Sequence, residues 1–186
     1  FSIPIAGLYN IYNALAAYSA AKFFGLSTEE IQEGFSKAQR VFGRQETFDV
    51  EDKEVMLNLI KNPVGFNQIV QLLTYEKEPF SLGVLLNDNP ADGQDVSWIW
   101  DGDFEGLHAL NAVDIAISGI RVEDLGVRME VAGFENMKVF KTNAELIDWI
   151  RKAPTKKVNV LATYTALLDL RKDFAKEGYL KEGMNG

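Results

Sequence analysis

The stretch FSLGVLLNDNPADGQDVSWIWD, residues 80–101, changes from a continuous apolar segment to a polar loop within a few residues. A short apolar run that is bounded by turn residues predicts a strand over residues 80–86. A second strand of this kind is predicted over residues 112–120. Strands that are apolar throughout are typical of a parallel sheet covered by helices on both faces.

Strand-like and helix-like segments alternate on both sides of this stretch. Further strands are predicted over residues 46–50, 54–60, 137–140 and 158–162, and helices over residues 63–75, 122–132, 143–150 and 165–176. Pro63 suits the first helical turn, and Thr142 with Glu145 matches a capping box. Residues 43–186 are therefore predicted to form an α/β domain with a Rossmann-like, mostly parallel sheet and helices on both faces. No G-x-G-x-x-G dinucleotide fingerprint follows any of its strands.

Residues 1–42 are predicted to be the helical end of a preceding domain. Apolar side chains at three- and four-residue steps predict a helix over residues 8–24 that ends at Gly25. Ser27 and Glu30 match a capping box for a second helix through Ala38. Because Phe1 is not a start residue, we expect a segment of a longer protein, and the missing signal peptide carries no information.

Composition excludes several functions for this segment. The net charge of −8 and the lack of a basic stripe argue against nucleic-acid binding. The chain has no cysteine and a single histidine, His108, so it holds no thiol nucleophile or thiolate zinc site. The lack of cysteine is compatible with a reducing compartment such as the cytoplasm. No phosphate-binding loop, nucleophile elbow or membrane-spanning apolar run occurs, so we do not expect a complete enzyme.

Four polar side chains are candidates for contact with a nucleotide. Asn10 and Asn13 share one face at the start of the first helix, where they could satisfy backbone donors or contact the edge of a nucleotide. Arg44 follows a glycine at the predicted domain junction and could bind a phosphate bidentately or form a surface ion pair. Lys61 follows a strand, where ligands bind in parallel sheets, and could contact a phosphate or only solvent.

The loop after the strand at residues 80–86 is rich in acids and tryptophan. Its acids are Asp88, Asp92, Asp95 and Asp101. They could bind Mg²⁺, although the calcium-loop spacing is absent, or orient a histidine in a nucleophile–base–acid triad. Trp98 and Trp100 could pack in the core or anchor a partner protein.

Taken together, these segments resemble the Mur ligase family. GLYNIYNALAA, residues 7–17, resembles the end of the family's central ATPase domain, and GRQE, residues 43–46, its junction with the C-terminal domain. NLIKNP and DNP resemble the family's D-Y-A-H-N-P and D-N-P-R segments. Asn58, Lys61 and Ala91 stand in place of the aspartate, the histidine and the arginine that reads the incoming amino acid. With IKNPVGFNQ and TYTALLDLRK, these departures resemble the branch that adds ammonia instead of an amino acid.

The resemblance implies an activity, cofactors and partners. This branch uses ATP and Mg²⁺ to convert the α-carboxylate of D-glutamate in lipid II to D-isoglutamine during peptidoglycan synthesis, at the inner face of the membrane. Ammonia comes from a GatD-like glutaminase subunit. ATP, Mg²⁺ and a zinc ribbon would be held mainly outside this segment, with no metal here. By position, Asn10 and Asn13 would lie near the adenine, Arg44 near the γ-phosphate, and Lys61 near the nucleotide or the carboxylate.

The resemblance also implies that an aspartate of a D-N-x-A-D motif completes the triad of the glutaminase. Here the motif occupies residues 88–92. We predict Asp92 as that residue, because Gly93 allows a turn that would point its side chain outward. Asp88 is the second choice and Asp95 the third. The alternative is that Asp92 only caps the turn before Gly93.

The tryptophan pair completes the predictions for this loop. We predict that Trp98 or Trp100 lies at or beside the contact with the glutaminase. Two other functions stay open: the C-terminal domain of a ligase that adds an amino acid, of the folylpolyglutamate or cyanophycin type, and a docking module without catalysis.

Overall fold

The computed structural model describes residues 2–3, 7–37 and 43–180. The chain divides into two compact units, Phe1–Val41 and Phe42–Gly186. The predicted end of the second helix at Ala38 lies outside the described residues.

The first unit contains two helices, α1 (Leu8–Phe23) and α2 (Thr28–Ser36). Gly25 follows the end of helix α1, and its φ of +86° is the left-handed conformation that favours glycine after a helix. Helix α2 begins at the predicted capping box. The Ser27 hydroxyl accepts from the Glu30 amide at 3.2 Å, and the Glu30 carboxylate accepts from the Ser27 amide at 2.8 Å.

The second unit is built on one six-stranded sheet. Its strands are β1 (Arg44–Val50), β2 (Lys53–Leu59), β3 (Phe80–Leu85), β4 (Ala112–Ser118), β5 (Lys138–Val139) and β6 (Lys157–Ala162). Their order is β1-β2-β6-β3-β4-β5, and only the β1–β2 pair is antiparallel. The helices are α3 (Pro63–Leu73), α4 (Val122–Val131), α5 (Asn143–Arg151) and α6 (Tyr164–Lys176). The predicted mostly parallel α/β fold is confirmed.

The sheet separates two apolar cores. Helices α3 and α4 pack on one face, where Phe66 and Met129 are fully buried, and α5 and α6 pack on the other, where Ile147 and Leu167 are buried. Every residue of β3 is buried, which explains why this strand is apolar along its whole length.

Two predictions about local structure differ from the observed fold. The predicted strand over residues 112–120 ends at Ser118, because Gly119 turns the chain with a φ of +109°. A Cβ atom at Gly119 would lie 2.3 Å from the carbonyl oxygen of Leu86, so only glycine fits. The chain between β3 and β4 also contains two short 3₁₀-helices, Ser97–Trp100 and Glu105–Ala109, which the sequence pattern did not predict.

Strands β2, β6, β3 and β4 all end at the same side of the sheet, which we call the carboxyl edge. The segment after β3 leads to the α3/α4 face, whereas α6, which follows the neighbouring strand β6, covers the opposite face. Ligands of open parallel sheets bind where neighbouring connections diverge in this way. Among the described residues, no helix is long and apolar enough to cross a membrane.

Candidate functional site

The loop that follows β3 is fastened to the first turn of α6 by polar side chains. The Thr165 hydroxyl accepts hydrogen bonds from the side-chain amides of Asn87, at 2.9 Å, and Asn89, at 2.8 Å. The same hydroxyl donates to the Asp92 carboxylate at 2.5 Å, and the Thr165 amide donates to the other oxygen of Asp92 at 2.7 Å. The Thr163 hydroxyl accepts from the Asn87 amide at 2.8 Å. These hydrogen bonds restrain the conformation of the loop over residues 87–92.

Asp92 points into the protein, so its expected outward orientation is wrong. Asp92 is only 5% exposed, and its carboxylate also accepts from the backbone amide of Asn89 at 3.1 Å. A carboxylate is stabilised at the N-terminus of a helix. Here Asp92 accepts from the Thr165 amide in the first turn of α6, and this hydrogen bond keeps its side chain inside the protein. Gly93, with a φ of +92°, then turns the backbone out of the loop.

Asp88 is the carboxylate that this loop exposes at the carboxyl edge. One of its oxygens accepts from the Arg121 guanidinium at 2.7 Å, and its side chain is 27% exposed. The other oxygen has no hydrogen-bond partner within the part of the chain that the structure describes. Arg121 also donates to Asp124 at 2.7 Å. The hydrogen bonds with Asp124 and Asp88 raise the pKa of Arg121, and Arg121 lowers the pKa of Asp124.

The remaining acids of the loop are local in their contacts. Asp95 is exposed and accepts from the Ser97 amide at 2.8 Å at the start of a 3₁₀-helix. These hydrogen bonds from Ser97 hold the pKa of Asp95 below its ordinary value. Across residues 2–3, 7–37 and 43–180, no group of three or more acids and histidines is arranged to hold a metal ion.

Arg128 of α4 holds the two 3₁₀-helices in place, although it was not among the predicted site residues. Its buried guanidinium donates to the carbonyl oxygens of Ile99, at 2.9 Å, and Gly102, at 3.0 Å. It also forms a bidentate pair with Glu105, with both distances 2.8 Å. The hydrogen bonds from Arg128 lower the pKa of Glu105 to about 2. A single side chain thus fixes the segment that carries both tryptophans.

The two tryptophans occupy different environments. Trp98 is partly buried and packs against Phe66, with ring centroids 6.4 Å apart. Trp100 is 53% exposed, and its ring lies 5.6 Å from the guanidinium carbon of Arg128. Phe104 lies on the same guanidinium at 4.8 Å. An exposed ring on a fixed support loses little conformational entropy on contact with a partner, which is typical of interface anchors.

Arg44 and Lys61 both lie at the carboxyl edge. Arg44 begins the antiparallel strand β1 and pairs with Asn58, close to the end of β2, while Lys61 follows β2 directly. Both cations are exposed. Asn58 itself is 1% exposed, and its side-chain oxygen and nitrogen have no hydrogen-bond partner among the residues that the structure describes. A buried neutral amide therefore occupies position 58.

Three other predicted or singled-out residues lie elsewhere. Asn10 is buried and Asn13 is exposed on α1, within the first unit. His108 donates from Nε2 to the Ala132 carbonyl oxygen at 2.7 Å and stacks on Phe134, with ring centroids 4.0 Å apart. These contacts give His108 a structural role.

Sequence reasoning missed Arg121, Arg128 and Thr165. Arg128 had a detectable signal, because it falls on the apolar side of α4, between Leu125 and Met129, where a charge needs a buried partner. Arg121 and Thr165 had none, since each acts on a loop at least 33 residues away in the chain.

Comparison with solved structures defines the class of this fold. Folylpolyglutamate synthase from Mycobacterium tuberculosis, complexed with ADP, superposes with a TM-score of 0.68 at 22% identity, over 92% of this chain and 41% of that one. UDP-N-acetylmuramate-alanine ligase MurC from Thermotoga maritima superposes with a TM-score of 0.67 at 14% identity, over 94% and 39%. MurF from Acinetobacter baumannii superposes with a TM-score of 0.64 at 23% identity, over 94% of this chain and 39% of that one. The fold is that of the C-terminal part of Mur ligases and folylpolyglutamate synthases.

Comparison of sequences identifies the branch. The family model for the MurT ligase C-terminal region matches residues 59–167, and the chain belongs to this family. A relative from Streptococcus pneumoniae, the lipid II isoglutaminyl synthase (glutamine-hydrolyzing) subunit MurT, is 44% identical over all of this chain and 42% of its own length. The subunit of the same name from Staphylococcus aureus is 37% identical over 80% of this chain and 35% of its own length. The chain thus spans less than half the length of these curated relatives.

Proposed function

We propose that this chain is the C-terminal part of the synthetase subunit of a lipid II isoglutaminyl synthase. The whole protein would use ATP to convert the α-carboxylate of D-glutamate in lipid II to D-isoglutamine, with ammonia from a GatD-like glutaminase. The activity would take place in the cytoplasm, at the inner face of the membrane. The related proteins support this proposal, because each is named as one subunit of a glutamine-hydrolyzing lipid II isoglutaminyl synthase.

The observation that carries the proposal is the environment of Asp88. A glutaminase needs a nucleophile and a histidine base, and the base is oriented by a carboxylate. This chain has no cysteine, and its single histidine is engaged with Ala132. The nucleophile and the base would come from outside this segment, and we assign them to the glutaminase. Asp88 could supply the carboxylate that orients this base. Arg121 fixes one of its oxygens, and the second oxygen is available to accept a hydrogen bond from the N–H group of a histidine.

The same geometry favours Asp88 over Asp92 as the residue that serves the partner. Both oxygens of Asp92 are hydrogen-bonded within the chain, mainly to Thr165. A histidine of the partner would have to displace these bonds at a nearly buried site. Asp88 needs no such rearrangement, so we assign it the role of orienting the histidine and assign Asp92 the role of holding the loop.

Ala91 supports ammonia as the acceptor. It is exposed, and its methyl group offers no positive charge for the carboxylate of an incoming amino acid. The nearby cation, Arg121, is already neutralised by Asp88 and Asp124. An acceptor without charge, such as ammonia, requires no such cation.

The residues at the carboxyl edge suit contact with a nucleotide. When bound, ATP supplies the phosphoryl group that activates the glutamate carboxylate. The planar guanidinium of Arg44 would bind phosphate oxygens bidentately, and Lys61 would act as a point charge toward the nucleotide or the carboxylate. Asn10 and Asn13 would lie toward the adenine. We propose that Mg²⁺ and a zinc ribbon belong mainly to other parts of the whole protein.

The test uses the full-length protein with its glutaminase. Asp88→Asn should reduce glutamine-dependent amidation by about 10⁴-fold, because an amide cannot stabilise the imidazolium that forms. Added ammonium should still support amidation at the original rate. Asp124→Asn, which removes the other partner of Arg121, is the matched control and should change neither rate strongly. An Asp88→Asn enzyme that still uses glutamine would overturn the assignment, and loss with both nitrogen donors would place Asp88 in the synthetase site.

A further inference from the structure

We infer that Thr165 is a positioning residue for the use of glutamine: its hydroxyl sets the conformation of the loop that presents Asp88. The inference rests on the proposed function of this loop. Thr165 would act through Asn87, Asn89 and Asp92 and would touch neither substrate nor partner.

The loop depends on polar contacts because apolar burial does not hold it. Pro90, Ala91 and Gly93 are exposed, and the buried residues at its two ends are polar. Side-chain hydrogen bonds to Thr165 tie both ends of the loop, Asn87 and Asp92, to α6. A loop of this kind loses its conformation when its polar anchor is removed, since no packed side chain remains to restrain it.

The Thr165 hydroxyl is used entirely by these contacts. A hydroxyl has one donor and two acceptor sites. Here the donor serves Asp92 and the two acceptor sites serve the amides of Asn87 and Asn89. Nothing remains for a substrate, which separates a positioning role from a catalytic one.

Asp88 lies between the two anchored amides, so its position follows from theirs. Asn87 is additionally fixed because its side-chain oxygen accepts from the Ile120 amide at 2.8 Å, next to Arg121. Thr165 and Arg121 thus hold the loop from two sides of the carboxyl edge. Displacement of a reacting or orienting group by about 1 Å can cost 10²-fold in rate. Loss of the hydroxyl should therefore affect glutamine use much more than ammonium use.

The experiment compares two substitutions in the full-length protein with its glutaminase. Thr165→Val removes the hydroxyl and keeps the volume, and Thr165→Ser keeps the hydroxyl. Thr155→Val is the matched control: Thr155 is 8% exposed, and its hydroxyl bonds to the Ser81 hydroxyl and the Lys157 carbonyl oxygen, both at 2.8 Å, at the opposite edge of the sheet. The readout is the ratio of glutamine-dependent to ammonium-dependent amidation rates, with a thermal melt for each variant.

Thr165→Val should lower this ratio by about 10- to 100-fold, and Thr165→Ser should restore it. Thr155→Val should lower the melting temperature without changing the ratio. The inference is overturned if Thr165→Val leaves the ratio unchanged, lowers both rates equally, or is matched by Thr155→Val. Asp88→Asn separates the two proposals. If that variant retains glutamine use while Thr165→Val loses it, the loop is still positioned by Thr165, and only the choice of carboxylate is wrong.

Discussion

Replacement of Arg128 by methionine should release the segment that carries Trp100. Arg128 is 3% exposed and forms hydrogen bonds with two buried carbonyl groups, those of Ile99 and Gly102. Methionine keeps most of the length and apolar volume of the side chain but donates no hydrogen bond. The variant therefore isolates the contribution of the guanidinium.

The structure allows the size of this effect to be worked out. The Ile99 carbonyl group is left without a donor, which costs about 1–3 kcal/mol, whereas the Gly102 carbonyl oxygen keeps the hydrogen bond from the Phe104 amide at 2.9 Å. Loss of the guanidinium between Trp100 and Phe104 removes cation–π contacts worth about 0.5–2 kcal/mol. The ion pair with Glu105 contributes little, because the Glu105 side chain is 57% exposed. Apolar packing by the methionine offsets part of the loss, so we expect a net decrease of roughly 2–4 kcal/mol in the free energy of unfolding.

The assay is urea denaturation of the purified protein followed by far-ultraviolet circular dichroism. Arg151→Met is the matched control. Arg151 also lies on an aromatic ring, that of Tyr179 at 5.7 Å, but it is 27% exposed in its side chain and donates to no buried carbonyl group within the described part of the chain. Its replacement should cost less than about 1 kcal/mol. Equal effects of the two substitutions, or a loss below about 1 kcal/mol for Arg128→Met, would refute the reasoning.

Three further predictions concern the partner, the nucleotide and pH. Trp100→Ala should weaken binding of the glutaminase by about 30-fold, or roughly 2 kcal/mol, as measured by calorimetry. Tyr75, which is exposed just after the end of α3, should tolerate the same change to alanine. Equal losses of affinity would argue against Trp100 as an anchor. Arg44→Lys should lower turnover with glutamine and with ammonium alike by about 10²-fold, because a point charge cannot replace the planar fork; an unchanged rate would return Arg44 to a surface role. Glu105 has its pKa lowered from 4.5 to about 2 by Arg128, so its stabilising contribution is complete above pH 4.5 and is lost as the pH falls toward 2. Urea titrations should find a flatter dependence of stability on pH in this window for Glu105→Gln, and an unaltered slope would contradict the assignment.

The sequence alone determined the architecture and the places where helices begin. The apolar run at residues 80–86 predicted a strand covered on both faces, and β3 is buried throughout. Both capping boxes, at Ser27 and at Thr142, are present where the spacing predicted them. These features depend on contacts within a few residues or on periodicity, which a sequence displays directly.

Only the tertiary structure decided which acid of the loop is available. Asp88 and Asp92 belong to the same short loop, and the glycine after Asp92 suggested an outward side chain. The first turn of α6, 73 residues later in the chain, instead draws Asp92 inward through Thr165. Arg121, 33 residues after Asp88, fixes the other carboxylate at the surface. The hydrogen-bond partners of each acid thus come from elements that become its neighbours only when the sheet forms. Local residue patterns cannot predict such long-range contacts.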